Sequence, residues 1–177
     1  AKFRRFREAY GLPAYDAEVL TASREVADYF EAVAREAGDP KAASNWVMTE
    51  VRAWLNQHQR PIQEFPVAPE HLAQLIRLVA DGTVSTTLGR QVFARMVETG
   101  RPPAVIVEEE GLVQVRDVDQ LEAWVDEVIA AHPAEVERLR RGEEKLLGFL
   151  MGQIMKRSRG KADPRRTSEI LREKVKR

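Results

Sequence analysis

Lys156, Arg157, Arg159 and Lys161 place four positive charges within six residues around Gly160. That grouping has the chemistry of a phosphate clamp, with forked and point-charge N–H donors converging on one turn. Arg165 and Arg166 follow on the first turn of the helix that Asp163-Pro164 opens. Free backbone N–H groups and the positive end of the helix dipole would add to the same pull on an anion there. These six are the candidate polyanion-binding residues, and a cationic surface that only keeps the chain soluble is the equal alternative from charge alone. The element that must position them runs from Glu143 to Arg157. Within it Gly148 and Gly152 lie four apart, so on a helix they share one face and leave a strip where another backbone can approach closely. Leu147, Phe149, Leu150, Ile154 and Met155 supply apolar contacts beside that strip. The spacing predicts a tightly packed helix that holds the cationic elbow rigid, with both glycines as core-packing residues.

Other chemistry is hard to assemble. His58, His71 and His132 stand in separate segments, none with a second ligand at metal spacing, and a place on a helix surface or helix end is the favoured reading for each. Glu108, Glu109 and Glu110 are consecutive and cannot all face one site on a helix, which favours a solvated acidic face over an acid/base pair. No phosphate-cradling glycine loop and no nucleophile elbow occurs. The residues therefore predict no catalytic residue, no bound metal and no cofactor in this chain. Trp46, Trp54 and Trp124 fall on apolar stripes and read as core rather than as base-stacking residues.

The 177 residues, 44% of them hydrophobic, are enough for one ordinary domain or two small ones. There is no Cys, so a disulfide framework, thiolate zinc and a cysteine nucleophile are excluded. A reducing, cytoplasmic location is the default expectation, with no membrane partner. The chain opens on Ala1 and a basic run rather than on Met, which reads as a piece of a longer polypeptide. The zero net charge hides an asymmetry. From Lys156 to Arg177 there are ten basic residues against three acidic, whereas Val105 to Glu127 holds eight acidic residues and one Arg. Such polarisation makes the basic end the expected docking point for a polyanion.

Periodicity is helical nearly throughout. Val26, Tyr29, Phe30 and Val33 form a stripe between a Ser23 cap and Gly38. Ala43 to Leu55 predicts one long amphipathic helix, and three prolines between Pro61 and Pro69 mark a connector. Further stripes run from Leu72 to Val79, from a Thr86 or Thr87 cap to Val97, and from Pro103 to Glu110. Asp117 with Gln120 resembles a capping box ahead of Leu121, Val125 and Val128. His132-Pro133 to Gly142, the glycine-bearing helix and Pro164 to about Val175 complete the pattern. The fold class is all-α: a helical bundle domain followed by a small tail domain of three to four helices. The expected divisions are a lead-in at 1–22, a helical domain at 23–114 and a tail domain at 115–177. Leu112 to Val115 would be a short extended linker, and limited proteolysis is expected to cut first between Val113 and Asp117.

Taken in order, several blocks resemble the GatB subunit of the tRNA-dependent amidotransferase. They are Asn45-Trp46-Val47-Met48, Asp81-Gly82-Thr83-Val84-Ser85, Val92-Phe93 with Met96 and Gly100, and Ile106-Val107-Glu108-Glu109 with Gly111-Leu112 and Gln114. Lys145 with Leu147-Gly148-Phe149-Leu150, Gly152-Gln153, Met155-Lys156 and Gly160-Lys161-Ala162 with Pro164 continue the likeness. The YqeY-like proteins share these blocks, but Tyr10-Gly11-Leu12-Pro13 with Tyr15-Asp16-Ala17 and Leu20-Thr21 also fits GatB. One departure is Thr86-Thr87, where many members have Gly-Lys. The resemblance implies a C-terminal, tRNA-handling part of a ligase that amidates misacylated Glu-tRNA or Asp-tRNA. ATP and Mg would act in the large N-terminal domain of the parent, and the glutaminase GatA and the small protein GatC would be partners through it. It also makes Lys156, Arg157, Arg159, Lys161, Arg165 and Arg166 tRNA-binding residues. The alternative is a stand-alone YqeY-like helical interaction module without catalysis.

Overall fold

In the computed structural model, which describes residues 1–176, twelve α-helices are joined by short turns and no strand forms among those residues. Two compact units result: residues 1–81 with 90–111, and residues 82–89 with those from Leu112 on. The all-α class holds. The segment 82–89, expected within the helical domain, groups with the second unit instead. No helix among the described residues is long and apolar enough to cross a membrane.

The first unit is built around α3 (Arg24–Ala37), which packs on α6 (Pro69–Ala80) and α4 (Pro40–Trp46). Phe30 and Val33 are fully buried from the α3 stripe, and Leu72 and Leu75 meet them from α6. Each such side chain contributes roughly 1.5–3 kcal/mol on removal from water. Ser23 Oγ accepts the Val26 amide at 3.2 Å, and Gly38 closes the helix at φ 69°. Tyr29 is buried with its hydroxyl donating to Val67 O at 2.9 Å, and burial pushes that phenol well above its ordinary range. Residues 1–22, read as a lead-in, pack as part of this unit. α1 (Lys2–Glu8) sets Phe6 edge-on to Phe30 at 4.9 Å and pairs Lys2 with Asp28 and Arg5 with Glu31, while α2 (Ala14–Thr21) buries Leu20.

The long helix expected from Ala43 to Leu55 is interrupted. α4 passes through a π turn at Val47–Val51 into α5 (Arg52–His58). The wider turn shifts the register, so Val47 and Val51 are fully buried while Trp46 and Trp54 remain half-buried. Both tryptophans are held by aromatic contacts, Trp46 with Phe93 at 5.8 Å and Trp54 with Phe65 at 5.2 Å. Their core-side reading holds. α7 (Thr86–Thr99) is capped by neither Thr86 nor Thr87, because Ser85 Oγ accepts the Leu88 amide at 3.1 Å. α8 (Pro103–Glu110) ends at Gly111, and its acidic run is engaged from α7 and the turn after it: Arg95 reaches Glu110 at 3.2 Å and Arg101 reaches Glu109 at 2.6 Å. The Arg101 guanidinium holds the Glu109 carboxyl below the usual carboxylate range.

The second unit contains α9 (Val118–Ala131), α10 (Pro133–Arg140), α11 (Lys145–Arg157) and α12 (Pro164–Lys176). Leu121, Val125 and Val128 of α9 share a core with Leu150 and Ile154 of α11 and Leu171 of α12. Asp117 caps α9 by accepting the Asp119 amide at 3.2 Å. At the α10–α11 corner Arg138 binds Glu143 at 2.7 Å and holds its carboxyl below the usual range. The charge asymmetry of the sequence is partly cancelled here. Lys174 lies 2.8 Å from Asp126, and Arg157 lies 3.4 Å from Glu127, so acidic α9 faces basic groups of α11 and α12.

Candidate nucleic-acid interface

α11 ends at Arg157, and the chain turns through two successive left-handed residues, Arg159 at φ 56° and Gly160 at φ 78°. The Gly160 amide donates to Met155 O at 2.8 Å, which satisfies a carbonyl that the helix leaves open. Gly160 suits that backbone for lack of a Cβ; Arg159 adopts it at a cost of order 1 kcal/mol. Buried Ser158 locks the turn, its Oγ donating to Met155 O and accepting the Ala162 amide, both at 3.2 Å.

The segment expected as an open linker is pinned to this elbow. Val115 N donates to Lys161 O at 2.6 Å, Asp163 N donates to Val115 O at 3.0 Å, and Gln114 N donates to Thr83 O at 2.8 Å. Val115 and Ala162 thus form an isolated parallel bridge. Arg116 extends the clamp, with Nη2 donating to Gly82 O at 3.1 Å and Nε 3.3 Å from Asp163 Oδ2. A Cβ at Gly82 would displace that guanidinium, and the left-handed backbone at φ 81° favours glycine there. A hydrogen-bonded backbone of this kind opens less readily than a free linker, and limited proteolysis at 113–117 tests whether cleavage still falls there first. Arg116→Ala is expected to lower stability by no more than about 1 kcal/mol while speeding hydrogen exchange at the Val115 and Asp163 amides. Unchanged exchange would show that the bridge stands without the guanidinium.

The six cationic candidates separate into two groups. Lys156, Arg157 and Arg159 are exposed on and just beyond the last turn of α11, and Lys161 is half-exposed. Lys156, Arg159, Lys161 and Arg166 have no ion-pair partner among the described residues, whereas Arg157 faces Glu127. Arg165 and Arg166 are exposed on the first turn of α12, beside a cleft of about 340 Å³ that Arg116, Asp163 and Glu169 also line. The free helix N-terminus expected there is absent. Asp163 Oδ1 accepts the amides of Arg165 at 3.0 Å and Arg166 at 3.2 Å, so a carboxylate already occupies the place of an anion. Any phosphate contact by Arg165 or Arg166 must come from their side chains alone.

The glycines of α11 are placed differently from the core position expected of them. Leu146, Leu150 and Ile154 point into the core, and Gly148 and Gly152 lie on the opposite, exposed face. A Cβ added at either would meet nothing within 4 Å. At about 100° per residue, Lys145, Gly148, Phe149, Gly152 and Lys156 fall within about 100° of arc, and all five are exposed. The strip therefore carries two bare glycines beside the Phe149 ring in its middle and is cationic at both ends. Lys145 was missed as a charge of this face, although its eleven-residue spacing from Lys156 is three helical turns and was readable. Arg116 was missed as well; its one signal is that it is the lone Arg of the acidic stretch.

The family described as GatB domain matches residues 28–175. The aspartyl/glutamyl-tRNA(Asn/Gln) amidotransferase B subunit of Chlorobium phaeobacteroides is 51% identical over 97% of this chain and 36% of its own length. That of Carboxydothermus hydrogenoformans is 47% identical over 99% of this chain and 36% of its own. The chain belongs to the GatB family. It spans about a third of the length of the curated relatives it matches. Within the GatB blocks quoted from the sequence, Lys145, Gly148, Gly152 and Lys156 coincide with the exposed strip, and Asp81-Gly82-Thr83 supplies the backbone that receives Arg116 and Gln114. The Ser85 of the same block caps α7 in place of the threonines that depart from the GatB pattern.

Proposed function

We propose that this chain is a tRNA-docking module of a GatB-type amidotransferase, which receives the sugar–phosphate backbone on the exposed face of α11 and on the adjoining elbow. The observation that carries the reading is the open glycine strip between Lys145 and Lys156. A glycine inside a helix costs roughly 0.5–1 kcal/mol relative to alanine, and neither Gly148 nor Gly152 recovers that cost through a contact within the chain. Close approach of an external backbone gives the two glycines a use, and the lysines give that backbone its charge. Phosphate contacts of this kind position an RNA without reading its sequence.

In this reading the chemistry of amidation, with its ATP and Mg, belongs to other parts of a longer polypeptide, and a GatA-type glutaminase with a small GatC-type protein would act alongside it. The rival reading as a stand-alone YqeY-like module is less well supported. The relatives align over as many as 175 residues of this chain, including the part before residue 28 that lies outside the matched family region.

The test is binding of an unmodified tRNA transcript to the 177-residue chain at two salt concentrations. Affinity is expected to fall steeply with salt. Lys145→Ala with Lys156→Ala should lower the slope of log K against log salt by roughly 0.7 to 0.9 for each phosphate pairing removed. A salt-independent affinity, or an unchanged slope in the double variant, would refute docking at this face.

A further inference from the structure

Phe149 is a large apolar side chain left 40% exposed, and it stands on the charged face of α11 rather than beside the core. Its ring is not loose. His132, at the corner between α9 and α10, meets it edge-on with ring centroids 5.2 Å apart and planes at 89°. His132 is itself held near Glu135, whose Oε2 lies 3.9 Å from Nδ1. The imidazole thus braces the phenyl ring on one side while part of the ring stays open to solvent. Gly148 beside it and Gly152 one turn on carry no side chain to crowd that opening. Lys145 and Lys156 lie along the same face, a turn below and two turns above.

We infer that Phe149, braced by His132, is a stacking platform for an unpaired or outward-facing RNA base. The inference rests on the docking function proposed above and specifies the RNA element that fits it. In a regular A-form helix the bases are stacked on one another and shielded by the backbone. An aromatic face can therefore engage only a base that is splayed out or that ends a stack. Charge complementarity selects RNA over an apolar protein segment as the occupant, because Lys145 and Lys156 stand on the same exposed face of α11 as the ring. A stack of this kind is sequence-tolerant, since every base offers a π face.

The experiment measures affinity and salt slope of the 177-residue chain for an unmodified tRNA transcript and for a blunt RNA duplex of similar length. Phe149→Ala is expected to weaken transcript binding by roughly 5- to 150-fold, the range that loss of one base–aromatic stack gives, with the salt slope unchanged and duplex affinity unaffected. Phe149→Trp should restore transcript binding. Transcript affinity unchanged by Phe149→Ala overturns the stacking inference while leaving backbone docking intact, provided that the lysine variants still lower the slope. Equal losses on transcript and duplex also overturn it, because they would make Phe149 a structural support. Thermal unfolding of each variant separates loss of the platform from loss of fold. If Phe149→Ala melts early, His132→Ala provides the second reading: removing the brace should weaken transcript binding and spare duplex binding, and equal effects on both would again overturn the inference.

Discussion

Gly152→Leu is expected to leave the second unit folded and to weaken tRNA binding by about tenfold or more, equivalent to about 1.4 kcal/mol. The direction follows from where the glycine sits. Read from spacing alone, Gly148 and Gly152 promise a close helix–helix contact, and a leucine there would overpack it at about 1–3 kcal/mol. The structure removes that cost, since a side chain at either position projects into open space. Substitution should even help the isolated chain. Gly148→Ala with Gly152→Ala is expected to stabilise α11 by roughly 0.5–1 kcal/mol per site, raising the thermal midpoint by a few degrees. Stability and binding should then move in opposite directions. Circular dichroism melts beside tRNA titrations at fixed salt decide the matter. A lowered midpoint would return the glycines to a packing role, and unchanged affinity in Gly152→Leu would clear the strip of any part in docking.

This sign reversal marks the limit of what the sequence disclosed. Helix positions were legible because capping and termination are local: Ser23, Gly38, Gly111 and the His132-Pro133 corner act within one turn of chain, and each stands where its chemistry placed it. The face a glycine occupies is not local. A pair spaced by four tells that two residues share a face, and only the positions of Leu146, Leu150 and Ile154 against the core decide which face that is. Counting apolar residues on both sides of α11 could have shown that the aliphatic stripe lies opposite the glycines. The presence of Phe149 on the glycine side masked it. Long-range polar links were equally hidden. Nothing in the run Leu112 to Arg116 announces that its amides bond to Thr83 and Lys161, or that Arg116 reaches Gly82 and Asp163 across long stretches of sequence. The π turn after Trp46 arises from packing as well, and no residue type between Val47 and Val51 forbids a regular helix.

The anion site expected at the start of α12 fails for a simple reason that bears on the remaining cations. Asp163 is a good N-cap, and a residue that caps a helix with a carboxylate satisfies the very amides that would have held a phosphate. Charge at the elbow must therefore be carried by side chains that are free to meet RNA, and Lys156, Arg159 and Lys161 are three with no ion-pair partner among the described residues. Replacing the three together by Ala is expected to give the largest loss of tRNA affinity among the charge variants. Each phosphate pairing removed should cut the slope of log K against log salt by roughly 0.7 on single-stranded and 0.9 on duplex scaling, so the triple change should flatten the slope by about 2 to 3. The fold should survive, because Ser158, Gly160 and the Val115 bridge hold the turn through backbone and hydroxyl groups that these substitutions leave in place. Arg159 needs care, since alanine tolerates its left-handed backbone no better than arginine does. Arg159→Gly in the same background removes the charge without backbone strain and should bind as weakly as the alanine triple. Titration at two salt concentrations, with thermal melts as the folding control, reads out all of this. An unaltered slope in both triples would assign the elbow to solubility and would also remove Lys156 from the docking face, leaving Lys145 as the strip's one cation.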